Sequence, residues 1–241
     1  MKKEKAYKLL AIQENISNKK AKDLIDRGLV YVGNKKVTIA RGEVDIKTKF
    51  RVQNIQKIEK IFEDGNILAV NKPAFLNSEE VSKKMGYPLL NRLDKETSGV
   101  LLLVKNEDFQ KKAIKEYKNQ NVLKEYIAWV EGKVVEEIEI NKPILTIKKT
   151  KAYSKISKDG KESLSFVEPL MIEGNKSKVK VTIKTGRTHQ VRVHLKSIAH
   201  PILGDTTYGG RAYKRMMLHS YKTELLGYSF VAKEPKEFIN L

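Results

Sequence analysis

Apolar residues along this chain recur in two rhythms, and the switches between them mark out its elements. Near the N-terminus Tyr7, Leu10, Ala11 and Glu14 follow a short helical spacing. In NKKAKDLIDRG, Ala21, Leu24 and Ile25 form an apolar stripe at i, i+3 and i+4. Ser17 just before it predicts an N-cap, and Gly28 just after it a C-terminal stop. LVYV and KKVTIA around Gly33-Asn34 predict a hairpin. Residues 1–52 therefore read as a small separate α/β unit. The charged stretch IQKIEKIFEDGN reads as a connection, with 53–60 the expected linker and 61–241 the main domain.

In the main domain ILAVNKP predicts a buried strand ending at Pro73, and SGVLLLVK a second. EDFQKKAIKEYKNQ has Phe109, Ala113, Ile114 and Tyr117 on one helical face. LKEYIAWVEG is apolar on both faces, which places it centrally in a sheet. After ESLSFVEPL, the segment KVKVTIKT alternates Val179, Val181 and Ile183 with Lys180, Thr182 and Lys184. HQVRVHLKSIA returns to a helical period, with Val191, Leu195 and Ile198 inward and His189, Arg192 and Lys196 on a polar face. Helices and strands mix without strict βαβ alternation, which predicts an α+β fold with a mixed, mostly antiparallel sheet.

Charge changes the picture. The 241 residues carry 48 Lys and Arg against 29 Asp and Glu, a net charge of +19. Such a surplus calls for a polyanionic partner, and nucleic acid is the commonest; drift towards lysine for solubility is the plain alternative. Cysteine is absent, which excludes disulfides, zinc–thiolate sites and a cysteine nucleophile. The four histidines form no HExxH, and no GxxxxGK[ST] or GxGxxG is present, so no metal and no nucleotide cofactor are expected. No apolar run is long enough for a membrane span, and the N-terminus lacks the apolar core of a signal peptide. These features lead us to expect a cytoplasmic, monomeric protein with no membrane partner.

Three segments can carry chemistry. In NRLDKETSGVLLLVKN, Asp94 lies between Arg92 and Lys95, followed by a turn-forming Thr97-Ser98-Gly99 and a buried strand. A carboxylate in a basic groove repels RNA; either it is a nucleophile, or it is a turn residue paired with Arg92. In TGRTHQVRVHLKSIAHPILGDTTYGG, Gly186 ends a strand and allows an unusual backbone, and Arg192 is either part of a site or a grip on phosphate. In KEYIAWVEG, Tyr126 lies on a strand, where a tyrosine is ordinarily core.

Together NRLDKETSG, KEYIAWVEG, TGRTHQVRVHL and HPILGDTTYGG, in this order, closely resemble the motifs of the RluA-type pseudouridine synthases. The resemblance spans nearly the whole chain. The helix–helix–hairpin order of residues 1–52, with Lys19, Lys20, Lys22, Arg27, Lys35 and Lys36 spread over it, resembles the S4 RNA-binding domain. The implied catalytic fold is a long, mostly antiparallel sheet with a central cleft for the target uridine. Two departures lie beside that cleft. Asn91 stands where the family motif has histidine, and Phe75 where NKPAGL has glycine, with the following histidine missing.

The resemblance implies isomerisation of uridine in RNA to pseudouridine without a cofactor. It makes Asp94 the nucleophile, with attack at C1′, attack at C6 and a glycal route all left open. It pairs Arg192 with Asp94, gives Tyr126 stacking and proton transfer, and sets Leu195 under the uracil. Arg92 would fill the space of the extruded nucleotide, with His189 and Arg187 as further substrate-binding residues. Large-subunit ribosomal RNA is the first expected substrate and transfer RNA the second. A non-catalytic RNA-binding module and a base-removing hydrolase are the rival readings.

Overall fold

The computed structural model describes residues 2–147 and 152–239, which divide into two compact units. The first comprises the described residues up to 56 together with 212–214. In chain order it holds β1 (Lys3–Lys5), α1 (Ala6–Gln13), α2 (Asn18–Asp26), β2 (Val30–Val32), β3 (Lys35–Lys36), β4 (Glu43–Asp45) and β5 (Arg51–Val52). Ser17 caps α2 by accepting the Lys20 N–H at 3.2 Å. Gly28, at φ +72°, ends it, with its N–H on the Ile25 carbonyl and that of Leu29 on the Leu24 carbonyl. Leu10, Ala21, Ile25, Val30 and Phe50 form the core of this unit. Gln13 holds Phe50 in place by bonding both its backbone N–H and its carbonyl. The return strand of the hairpin is shorter than the sequence predicts: pairing stops at Lys36, and β5 takes the other side of β2.

The second unit contains the remaining elements. They are β6 (Glu59–Glu63), β7 (Ile67–Lys72), α3 (Ser78–Met85), β8 (Ser98–Val104), α4 (Glu107–Lys118) and β9 (Leu123–Glu131). Then come β10 (Ile138–Asn141), β11 (Ile144–Ile147), β12 (Tyr153–Ile156), β13 (Leu164–Glu173), β14 (Lys176–Ile183), α5 (Gln190–Ser197), β15 (Leu218–Leu225), β16 (Tyr228–Val231) and a final turn, Lys236–Phe238. Nine strands make one mixed sheet, ordered β10-β13-β14-β9-β15-β8-β7-β6, with β16 also on β15. Among the described residues every pairing is antiparallel except β8 with β15. The fold is α+β, as the pattern predicts. Residues 59–63, read as connecting chain, are instead an edge strand whose exposed side chains are mostly charged.

Alternation explains why β8 is buried along its whole length. Val100 and Leu102 pack on one face with Phe109 and Ala113 of α4, and Leu101 and Leu103 on the other with Val81 of α3. Ile114, expected on the buried face of α4, is 43% exposed. In β14, Val179, Val181 and Ile183 point inward as predicted. β9 lies centrally between β14 and β15.

Candidate active site

A cavity of about 940 Å³ opens beside the middle of the sheet. Asp94, Tyr126, His189 and Arg192 line it, with Ile183 and Leu218 among its apolar walls. Asp94 sits in the loop before β8, where the Thr97 N–H closes a turn onto its carbonyl. The turn therefore spans 94–97, and Ser98 and Gly99, expected in it, already belong to β8. Gly99 adopts φ +114°, and a Cβ there would lie 2.0 Å from the Ser220 carbonyl oxygen. Only glycine allows β8 and β15 this close. Ser220 pairs in register with both Gly99 and Tyr126, so one row across three strands fixes the tyrosine relative to the Asp94 loop.

Arg192, 98 positions along the chain, reaches Asp94 Oδ2 through Nη1 at 2.8 Å. Its other edge forks onto Asp205, Nε to Oδ2 at 2.6 Å and Nη2 to Oδ1 at 2.8 Å. Burial opposes its charge, but the carboxylates of Asp205 and Asp94 outweigh that and hold the guanidinium above its ordinary pKa. The Tyr208 ring lies 4.9 Å from the guanidinium carbon. Burial pushes the Tyr126 hydroxyl up to about 12, and the charge of Asp94 pushes the same way, so it stays protonated at neutral pH.

His189 Nε2 is 3.7 Å from Asp94 Oδ2, and Nδ1 is 2.8 Å from the Tyr208 hydroxyl. That hydroxyl already accepts the Ser154 N–H at 2.9 Å, and burial raises its pKa. It can give its proton to His189 Nδ1, an arrangement that would leave the imidazole hydrogen on Nε2, facing Asp94. Burial lowers the His189 pKa and so favours the neutral ring, against the pull of the Asp94 charge. The left-handed residue of this loop is His189, at φ +57°, and not Gly186.

Residues 66–197 match the family model described as RNA pseudouridylate synthase. A Helicobacter pylori (strain J99) protein, named as an uncharacterized RNA pseudouridine synthase, is 58% identical over 98% of this chain and 99% of its own length. The chain belongs to the RNA pseudouridylate synthase family. The ribosomal large subunit pseudouridine synthase D of Borreliella burgdorferi is 34% identical to this synthase over 74% of the chain and 66% of its own length. The solved structure of human RNA pseudouridylate synthase domain containing 1 superposes with a TM-score of 0.64 at 26% identity, covering 75% of this chain and 84% of that one. The family match begins at residue 66, beyond the first unit.

The synthase departs from several sequence expectations. Asp94 is held by Arg192 and not by its neighbour Arg92, which is exposed at the rim and pairs with Glu79 at 2.8 Å. Leu195 is wholly buried and is not part of the cavity wall, where Leu218 stands. α5 has no polar face of the expected kind. Arg192 and His194 are buried, and His194 bonds Ser165 and the Lys142 carbonyl, while Lys196 alone of the expected set is exposed. Arg187 lines the cavity, its Nε on the Glu162 carbonyl. Both departures from the family motif have structural partners. Asn91 accepts the Leu102 N–H at 2.8 Å and ties the loop to β8. Phe75 is buried at φ +69°, a left-handed backbone that costs a bulky residue about 1–2 kcal/mol.

Three contributors were not singled out by sequence reasoning. Asp205 and Tyr208 lie in the GDTTYGG motif, but only burial against Arg192 and His189 gives them a role. Lys72, in the NKP turn, is fully buried, and its ammonium donates to the carbonyls of Pro73 at 3.0 Å, Leu76 at 2.8 Å and Lys95 at 3.3 Å. Burial pushes it down to about 7, although the charge of Asp94 acts to raise it. Lys72 thus binds the loop that carries Asp94 from beneath. Among the described residues no group of three His, Cys, Asp or Glu is arranged to hold a metal ion.

Proposed function

We propose that Asp94 is the nucleophile with which this synthase isomerises uridine in RNA. The observation that carries this is its carboxylate, held at 2.8 Å by an arginine whose other edge is fixed on Asp205, in a cavity shared with Tyr126. In the overall reaction the N1–C1′ bond breaks, a C5–C1′ bond forms, C5 loses a proton and N1 gains one. Arg192 orients Asp94 and favours its ionised form. Tyr126 stacks on the base and, being protonated at rest, takes up the C5 proton only as it passes its own on. Leu218 replaces Leu195 as the apolar support.

The target nucleotide must leave its stack, and Arg92 at the rim fills its place, with Arg187 and His189 contacting the strand. The relative named for the ribosomal large subunit supports large-subunit ribosomal RNA as the substrate. The first unit, with lysines over two helices and a hairpin in the S4-like order, supports a role as an RNA-holding module. Asp94→Asn keeps shape and hydrogen bonding but removes the nucleophile. We expect no pseudouridine from it and near-normal RNA affinity. Substantial tritium release from 5-tritiated uridine in ribosomal RNA would sink the assignment, and carbodiimide mapping of cellular RNA with and without the gene identifies the RNA and position.

A further inference from the structure

Beyond the Asp94 pair, the same cavity holds two cations, Lys124 and Arg187, with no carboxylate paired to them among the described residues. Lys124 lies two residues before Tyr126 on β9, so both side chains share one face of the sheet, about 6.6 Å apart along the strand. Lys124 is 7% exposed, and its ammonium donates to the Lys184 and Thr185 carbonyls, each at 3.2 Å. An ammonium has three hydrogens, and among the described residues the third meets no acceptor.

Arg187 lies in the wall beside it and, among the described residues, spends only its Nε side-chain donor, on the Glu162 carbonyl. Its charge acts on Lys124, which burial and this like charge bring down to about 8. The Tyr117 ring sits 5.6 Å from the Lys124 ammonium, and its hydroxyl is buried without a hydrogen-bond partner, in the wall of the same cavity. A buried cation is ordinarily paired, and a buried hydroxyl ordinarily bonded. Here two cations line one cavity beside the position of the target base, with the Tyr117 ring against one of them.

We propose that Lys124 and Arg187, walled by the Tyr117 ring, form a subsite for one backbone phosphate of the RNA, next to the uridine that stacks on Tyr126. The inference rests on the reading of this cavity as the uridine site. Phosphate fits because it accepts from both cations at once and neutralises a pair that otherwise repels. The subsite couples catalysis to strand geometry: a uridine enters far enough to meet Asp94 only when its neighbouring phosphate has reached Lys124.

The test uses the full chain and the single-stranded pentamer AAUAA, unmodified or with an uncharged methylphosphonate at each linkage in turn. For the wild type, one linkage beside the uridine should cost about tenfold in affinity when neutralised, and the others much less. Lys124→Met should bind the unmodified pentamer about tenfold more weakly and lose that linkage effect. Its salt slope should fall by about 0.7, the share of one phosphate on a single strand. Lys124→Arg should recover part of both. Equal wild-type sensitivity at all linkages, or a linkage effect intact in Lys124→Met, overturns the proposal. If Lys124→Met does not fold, Arg187→Gln takes its place, with the same loss expected and the same persistence overturning it. Failure of the uridine reading shows separately, as absence of pseudouridine from wild-type enzyme on ribosomal RNA, which these affinities do not measure.

Discussion

Arg192 spends three donor nitrogens on two carboxylates, and that division sets what substitution does. Asp205 fixes the plane of the guanidinium, and only then does Nη1 fall at 2.8 Å from Asp94. Lysine keeps the charge but cannot fork. Arg192→Lys should therefore lower single-turnover rate by about 100-fold through misplacement of Asp94, with RNA affinity nearly unchanged. If affinity and salt slope fell while the rate at saturating RNA held, the residue would be a phosphate grip. Tyr208→Phe tests a finer point. If the hydroxyl donates to His189 Nδ1, its loss frees the imidazole hydrogen from Nε2. Nitrogen NMR of the histidine ring should show the tautomer shift; an unchanged Nε2–H form would remove Tyr208 from this role. At this scale the motifs made Asp94, Tyr126 and Arg192 legible. They did not show Asp205, Tyr208 and Lys72 as partners, because a buried partner is defined by what folds over it.

The elements act mainly through their register. β8 delivers Asp94, β9 delivers Tyr126, and β15 joins them through Ser220. Gly99 marks the point where no side chain fits, since its Cβ would strike backbone and not a movable side chain. Gly99→Ala should cost about 3 kcal/mol or more from crowding and a left-handed backbone. A urea melt gives this directly, and an unshifted midpoint would show that β8 and β15 can part without cost. Strand positions were readable wherever burial follows a period of two, as in β14. Two elements misled for opposite reasons. The edge strand 59–63 carries the charges that protect an open edge, so it looked like a linker. α5 is enclosed on nearly all sides, so its polar residues suggested a wet face while they were bonded inside.

At the scale of the whole molecule, acid stability and charge make separate claims. His219 is fully buried between Ser98 and the Ala232 carbonyl, and burial brings it down to about 4 from an ordinary 6.5. Between those values the unfolded chain binds the proton and the folded one does not, so stability rises with pH there and is lost on acidification. The loss from pH 6.5 to 4 should reach about 3 kcal/mol and be absent from a folded His219→Gln variant. Melts at a series of pH values compare the two.

The charge of +19 is spread over both units, but the cavity set from Asp94 to Arg192 lies wholly in the second. That unit has its own sheet and two core clusters on its faces. Removing residues 1–56 should leave a chain that folds and keeps the Asp94–Arg192 pair. If the first unit grips RNA through Lys19, Lys20, Lys22, Arg27, Lys35 and Lys36, the truncated enzyme should bind more weakly. The plot of log affinity against log salt should also flatten by about 0.7–0.9 for each phosphate that the first unit had neutralised. Single-turnover rate at saturating RNA should be little changed, because chemistry and grip reside in different units. Equal slopes for the two forms would show that the first unit does not touch the RNA backbone. A loss of rate with unchanged slope would instead make it a support for the catalytic unit.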